Sequence, residues 1–519
     1  MKKIFKLFAL CVLVLATVSC NDFLDINENP NAATSTTPQL VLPGALNTTA
    51  SLMVTYNNYG SGVGGYVANA GGFGFSGAYI TYNYSTTDNT GLWSGMYDNL
   101  NDYQYVINNT KSDPVLANFY AIAKIMKSHG FQMLVDQYGN VPYTNALAGG
   151  QNITPEYDAA QDIYQDLIVQ LDSAVYIIDN AGSATNPGTT DIMFGGNMAR
   201  WKQFANTLKL RMLIRISGVT SLSSFVSEKF ATLGASNFLT DDAIINPGYS
   251  SSNQNPYWNT YHSSTAGTAA TGGRQYIPST FILTFYNGSK IADPDRGSTV
   301  FRSFPNTVNN RLGNQIGNVP TAPANTIAWY IGRGNGIDAR DTVGLFKGRT
   351  MGMPIMLAAE SYFLQAEAIE RGFLTGTAAT AYRQGVISSF RYLYKGVNNT
   401  VAAGYDPVAD ADAYLAENEG NQLVDYASST NKIETIITQK YIALNFIHGH
   451  EAWSEFRRTG YPTITSNSTF VSTVSQATSP DRLPRRLLYP STEYQLNSAN
   501  VPQTPTNFVF NTPIFWDAN

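Results

Sequence analysis

The sequence predicts a mainly α-helical chain in which paired antiparallel helices stack side by side and long irregular loops run between them. Three observations lead there. Apolar residues recur at helical spacing, as in 378–393, where Ala378, Tyr382, Val386, Phe390 and Leu393 form one stripe. That segment and its predecessor, 354–371, are joined by the short glycine-containing stretch ERGFLTGTA, which favours antiparallel packing. In WKQFANTLKLRMLIRI, Trp201, Phe204, Leu208 and Met212 lie on one stripe and Leu210, Leu213 and Ile214 on another. A helix apolar on more than one side is sandwiched between neighbours, as in a stacked array.

From the N-terminus, residues 1–19 read as an export signal and 20–519 as a single domain. Lys2, Lys3 and Lys6 make a basic start, Leu7 to Val18 is almost wholly apolar, and Thr17-Val18-Ser19 leads into Cys20. The apolar run falls short of the roughly 20 residues of a spanning helix. Cleavage at Ser19 alone would leave Cys20 as an exposed thiol, whereas a lipoprotein signal explains it: cleavage before Cys20, then acylation. Several acyl chains make a durable anchor in a membrane. Cys11 leaves with the signal, so the mature chain has no internal disulfide and no cysteine-based zinc site. Loss of the three lysines moves the formal charge from −5 to −8, and with no long basic run this argues against nucleic acid as a partner. Charged residues are only 13%, replaced by Asn, Thr, Ser, Gly and Tyr, which suits neutral ligands better than strongly ionic ones.

The next stretch is a loop region. No Lys or Arg occurs between Lys6 and Lys111, and Asp88 is the only charge between Asn47 and Gly95. Ten aromatic residues fall between Tyr56 and Tyr97: Tyr56, Tyr59, Tyr66, Phe73, Phe75, Tyr79, Tyr82, Tyr84, Trp93 and Tyr97. Helices are expected at 95–109, 114–137, 158–179 and 198–216, with Asp158 and Gln161 in a capping-box pattern. A second aromatic loop region, 245–340, contains NQNPYWNTYH and RQYIPSTFILTFYNGSK. The pair 354–371 and 377–394 follows, then 432–447 and 451–458, the last closed by Gly460 and Pro462. Thr492 with Gln495 repeats the capping-box pattern. Loops this long in a compact domain are usually functional or disordered, and their aromatic content speaks against disorder.

Few motifs carry chemistry. GSGVGG (60–65) has the letters of a dinucleotide fingerprint, but no βαβ unit or correctly placed acid surrounds it, so it reads as a flexible glycine loop. His448 and His450 are two apart rather than four, which suits a structural turn better than a metal pair. Asp406, Asp410, Asp412, Glu417 and Glu419 lack the EF-hand pattern and read as a solvated acidic helix start. No cofactor is expected, and calcium has no supporting motif. G-x-S-x-G is absent and no thiol is available for nucleophilic catalysis. A spatially assembled pair of glycosidase carboxylates stays open. The strongest functional signal is the aromatic loops: sugar rings lie flat on Tyr and Trp while Asn, Gln, Arg and Asp hold the hydroxyls. YITYNYSTTDNTGLW (79–93) has both parts, and so does PYWNTYH (256–262) with Arg274 nearby. The candidate ligand-binding residues are therefore Tyr79, Tyr82, Asn83, Tyr84, Asp88, Trp93, Tyr257, Trp258 and Arg274. Any single ring among them has the alternative of packing the core of its own loop.

Eight segments in a fixed order bear a family likeness: SCNDFLDINENPN, LWSGMYDNLNDYQYVI, MLVDQYGNVPYTNAL, YDAAQDIYQDLIVQLDSA, FGGNMARWKQFANTLKLRMLIRI, AESYFLQAEAIERG, ITQKYIALNFIHGHEAWSEFRRTGYP and LPRRLLYPSTEYQLN. In these the chain resembles the SusD/RagB family of nutrient-binding outer-membrane lipoproteins over nearly its whole length. The resemblance implies paired helices of the tetratricopeptide-repeat type with a ligand-binding face of irregular loops. It also implies a non-catalytic role: a surface lipoprotein, anchored through Cys20, that captures oligosaccharide, or in some branches peptide, for a SusC-like TonB-dependent transporter. Asp22 and Asp25 resemble the acidic tract that marks surface export, here interrupted by Phe23 and Leu24. No ligand motif carries over residue by residue, although the loop before LWSGMYDNL is where several members place an aromatic platform. Arg457, Arg458, Arg485 and Arg486 are expected to hold the structure together. A peptide ligand, a surface hydrolase and a purely structural scaffold are the alternatives.

Overall fold

The computed structural model describes residues 36–518 apart from 74, 76, 234–237, 315–328, 331–342 and 466, so Cys20, the signal and the acidic tract lie outside the described residues. The principal helices are α1 (Pro38–Val63), α2 (Thr90–Thr110), α3 (Ala117–Tyr138), α4 (Ala160–Asp179), α5 (Met198–Ile216), α6 (Ala358–Glu370), α7 (Ala378–Tyr394), α8 (Pro407–Glu417), α9 (Lys432–Ala443) and α10 (Gly449–Thr459). Each of α1 to α5 packs on the next, α5 also meets α6, α6 packs on α7 and α9, α7 on α8, and α10 returns to α1. The pair α6 and α7 is antiparallel, because Ile369 lies beside Gly376 while Phe363 lies beside Tyr382 and Gly385. One buried apolar cluster runs from Leu42 to Trp516.

Local chemistry sets the helix ends. Asn197 accepts from the Arg200 N–H at 3.2 Å to start α5, Asp406 accepts from Val408 and Ala409 to start α8, and Gly460 ends α10 at φ 76°. Asp406 therefore caps a helix, while Asp412 pairs with Arg383 and Asp410 accepts from the Tyr394 hydroxyl. Asp158 does not cap α4. Its carboxylate accepts from the backbone N–H of Tyr143 and Thr144 and from the Thr144 hydroxyl, and Asn140 instead accepts from the Ala160 N–H. The helix Ser491–Leu496 likewise has no side-chain cap, and Thr492 lies inside it.

Two expectations change more. GSGVGG is no loop: Gly60 and Gly62 lie within α1, and Gly60 crosses Gly449 of α10 so closely that a Cβ on Gly60 would lie 2.0 Å from the His450 backbone nitrogen. Residues 354–356 belong to a strand rather than to α6. That strand, β4 (Met353–Met356), pairs antiparallel with β2 (Ala243–Ile245), and β1 (Val67–Asn69) pairs antiparallel with β3 (Tyr276–Pro278).

Most buried charges are paired, as their desolvation demands, while Lys347, Arg457 and Arg486 donate to neutral acceptors. Arg211 grips Glu360 with two bonds of 2.8 Å. Arg215 holds Asp136, Glu451 and Glu455, and Arg458 holds Glu367 at 2.7 Å and Glu455 at 2.5 Å. This network ties α3, α5, α6 and α10 together. Arg457 donates to the carbonyls of Asp136 and Arg485, Arg485 pairs with Asp517, and Arg486 donates to the Tyr489 hydroxyl and lies over Phe508. All four arginines of the two RR motifs thus bind the protein itself. His448 and His450 are buried beside the same network, and among the described residues no group of His, Cys, Asp and Glu is arranged to hold a metal ion.

Candidate functional site

The β1–β3 pairing brings the two aromatic loop regions together, with Asn69 opposite Tyr276 and Val67 opposite Pro278. Asn310 donates to the Asn69 carbonyl at 3.0 Å and Asn69 donates to the Asn314 carbonyl at 2.8 Å, so the loop after β3 is stitched to β1. Beyond β1 the chain passes Phe73 and Phe75 and enters the short helix Gly77–Thr81, which carries Tyr79. The Tyr79 hydroxyl donates to the Asn58 carbonyl at 3.0 Å and sits over Gly62, where a Cβ would lie 2.4 Å from it. Glycine at 62 is therefore what admits this ring. The Phe75 ring lies 5.0 Å from Tyr79 and 5.3 Å from Tyr276, and the Arg274 guanidinium lies 5.2 Å from the Phe73 ring. Trp329 donates to the Arg274 carbonyl at 3.2 Å.

Phe73, Phe75, Tyr79 and Arg274 are all partly exposed. They form an apolar platform beside one guanidinium, backed by Tyr276 and Trp329. Burial pushes the Tyr276 phenol up to about 12 and raises Tyr79 well above its usual value, so both stay protonated, and the Tyr79 proton is given to the Asn58 carbonyl. The Arg274 Nε is buried and has no hydrogen-bond partner among the described residues. Flat rings and a single fixed cation suit a polyhydroxylated ligand, which offers C–H faces to rings and oxygen lone pairs to N–H groups. Nothing in this arrangement resembles a nucleophile with its base.

The other sequence candidates are placed differently. Tyr82, Tyr84, Trp93, Tyr257 and Trp258 are packed inside, so none presents a face to a ligand in this structure. Tyr82, at φ 59°, accepts from the Ser472 N–H at 3.1 Å, and Tyr84 meets Tyr59 edge-on. Trp93 lies in α2 among Tyr97, Tyr138, Tyr157 and Tyr489. Tyr257 accepts from Asn57 at 3.3 Å, and Trp258 stacks on His262 with ring centres 3.5 Å apart. Asp88 closes its own turn by accepting from the N–H and the hydroxyl of Ser85, both at 2.7 Å. Asn83 is exposed just past the Tyr79 helix and donates to Gln476 at 2.9 Å. Of the nine candidates, Tyr79 and Arg274 meet at one patch. Phe73 and Phe75, visible in the aromatic count, belong there too, but only their exposure distinguishes them from rings that fill the core.

A helical-repeat scaffold carrying a loop-built, ring-lined face marks a ligand-binding protein. The chain belongs to the SusD/RagB family: the SusD-like family model described as "Starch-binding associating with outer membrane" matches residues 30–490. Solved structures agree. A SusD homologue from Bacteroides uniformis is 25% identical, covering 92% of this chain and 99% of that one at a TM-score of 0.69. A SusD-like protein from Bacteroides thetaiotaomicron is also 25% identical, with the same coverage and a TM-score of 0.67. A chitin-binding SusD homologue from Flavobacterium johnsoniae shares the fold at 24% identity, covering 92% and 99%, with a TM-score of 0.71. No curated protein matches the chain at a significant level. The family is outer-membrane-associated, and no described helix is long and apolar enough to cross a membrane.

Proposed function

We propose that this chain is a non-catalytic, lipid-anchored glycan-binding protein that captures oligosaccharide on its loop face and passes it to a SusC-like TonB-dependent transporter. One observation carries the reading: the partly exposed platform of Phe73, Phe75 and Tyr79 beside Arg274, in a chain of this family. Cys20, made a lipid anchor by removal of residues 1–19, holds the domain formed by 20–519 at the outer membrane, facing outward. No cofactor enters this reading; the sugar ring stacks on the platform, and Arg274 with Asn83 meets its hydroxyls.

Affinity-gel retardation of the full chain in detergent, against neutral polysaccharides that include chitin oligomers, tests it. Retardation by one glycan, lost in Tyr79→Ala and Arg274→Gln but kept in Asp412→Asn, is the expected result. Silence toward every glycan together with capture of peptides would replace the ligand class. Release of shorter products from the retained glycan would replace binding by hydrolysis.

A further inference from the structure

A second cavity lies among α2, α3 and α4 and shares no lining residue with the loop-face platform. It is an open groove of about 550 Å³, within the range of small-ligand sites. Lys124 and Lys127 stand one turn apart on α3 and line it. The Lys124 ammonium donates to the Gln170 side-chain carbonyl at 2.5 Å and the Lys127 ammonium to that of Gln104 at 2.6 Å. Both acceptors are neutral amides. No carboxylate within 4.0 Å pairs with either lysine among the described residues.

The acids of the groove are largely engaged elsewhere. Asp158 is saturated by Tyr143 and Thr144, and Asp166 accepts from the Tyr143 hydroxyl and from Gln170. Only Asp162, at the exposed start of α4, is uncommitted. Burial draws the Lys127 ammonium down to about 8 and lowers Lys124 as well, with Asp166 offsetting part of the cost. Two desolvated cations with neutral partners are the setting in which an entering anion gains most. The walls also carry the Tyr120 and Tyr143 rings, and the Tyr120 hydroxyl has no hydrogen-bond partner among the described residues.

We propose that this groove is a second saccharide site, one that takes a uronate unit, its carboxylate held by Lys124 and Lys127 and its pyranose ring set against Tyr120 and Tyr143. Tyr120 supplies a partner for a ring hydroxyl. The nearby charges of Asp162 and Asp166 favour a singly charged carboxylate over a phosphate monoester, which carries close to two negative charges at about pH 7. The proposal rests on the glycan-binding reading for its ligand class only, since its residues and its charge requirement are separate.

Titration calorimetry of the full chain in detergent tests it, with trimers of galacturonate, glucuronate and mannuronate and with their methyl esters. At least one acid should bind and its ester should bind at least tenfold more weakly. Lys127→Met should cost at least tenfold, and Asp162→Asn, an exposed change, should tighten binding. Should Lys127→Met fail to fold, Lys124→Gln carries the same expectation. Silence from all three acids, an ester bound as well as its acid, or unchanged binding in the lysine variants overturns the proposal. Loss in Tyr79→Ala with retention in Lys127→Met would also overturn it, while supporting the loop-face site. Failure here with retained neutral-glycan binding leaves the first reading standing.

Discussion

Arg215→Met is the sharpest test of how this fold is held together. The guanidinium is fully buried; it contacts Asp136 through one nitrogen and, through the other, Glu451 at 2.5 Å and Glu455 at 3.2 Å. Methionine keeps much of the volume, so the packing loss is small and the electrostatic loss dominates. The three carboxylates do not suffer alike. Glu451 keeps Arg211 at 3.3 Å, and Glu455 keeps Arg458 at 2.5 Å and Lys440 at 3.5 Å. Asp136 keeps only the neutral donors Gln132 and Tyr164. One buried carboxylate is thus stranded, and breaking such a pair costs roughly 3–5 kcal/mol. Two other donors still serve Asp136, so about 3 kcal/mol is the expectation.

Urea unfolding at pH 7 measures that loss. Asp136→Asn added to Arg215→Met should return about 1–2 kcal/mol of it, because the stranded charge is gone. The pH dependence has a definite sign. Burial already raises the Asp136 carboxyl in the native protein, and removing its cation raises it further. A carboxyl raised above its unfolded value favours the folded state as pH falls through the folded pKa, so the deficit of the variant relative to the parent should shrink between pH 7 and pH 5. A deficit below about 1 kcal/mol at pH 7, or one that grows on acidification, refutes the reasoning.

Gly60→Ala should abolish folding or lower the unfolding midpoint severely, since its Cβ would lie 2.0 Å from a backbone nitrogen that the α1–α10 crossing holds in place; an unchanged midpoint would deny that crossing. Trp93→Ala should cost roughly 3–5 kcal/mol in the same unfolding assay, with any effect on glycan retention following from that loss. Stability of the parent should fall on acidification from pH 6.5, because burial holds His129 and His262 down at about 3 and lowers His448 and His450, so the unfolded chain takes up their protons first. Each contributes at most roughly 1.4 kcal/mol per pH unit in that window, partly offset by Asp293, which burial raises to about 6; a flat profile from 6.5 to 5 would contradict this. Cys20→Ala should move the protein from the membrane fraction to the soluble fraction on cell fractionation, and retention there would refute the lipid anchor.

Most of the long helices that follow Thr90 were legible because their apolar stripes and end signals agree, as in 198–216, where both ends match the sequence reading, whereas Ser223–Ala231 and the short helices of 245–340 were not. The 26-residue α1 was not legible at all. Its sequence, PQLVLPGALNTTASLMVTYNNYGSGV, holds Pro43, three threonines and three glycines within the run, a composition that predicts loop. Tertiary contact overrides it: α1 lies between α2 and α10, and the small residues that weaken it as an isolated helix let Gly60 approach Gly449 and let Tyr79 sit over Gly62. Residues 354–356 failed for the converse reason. MPIM is apolar throughout, and a short apolar run does not distinguish strand from helix without its partner, here β2.

The ligand face was half legible, and the reason lies in what an aromatic residue can do. Tyr and Trp fill a core and stack on a sugar with the same atoms, so a count of rings in a loop cannot apportion them between the two. In 56–97 the core takes Tyr56, Tyr59, Tyr66, Tyr82, Tyr84 and Trp93, while Phe73, Phe75, Tyr79 and Tyr97 remain partly exposed, Tyr97 on α2 with its hydroxyl on the Pro142 carbonyl. What decides is the pairing of β1 with β3, which turns the second loop region onto the first and leaves Arg274 over Phe73 at the rim. That pairing links residues about two hundred positions apart and leaves no local trace in either segment. The groove on α3 escaped notice differently. Lys124 and Lys127 sit in a segment correctly read as helix, where two lysines on a polar face suggest solvation, and only the glutamine partners from α2 and α4 reveal that they are held in place by neutral amides with Asp166 at a distance. In both places the function-bearing information is relational: a ring or a cation acquires meaning from which groups the fold has already spent on it.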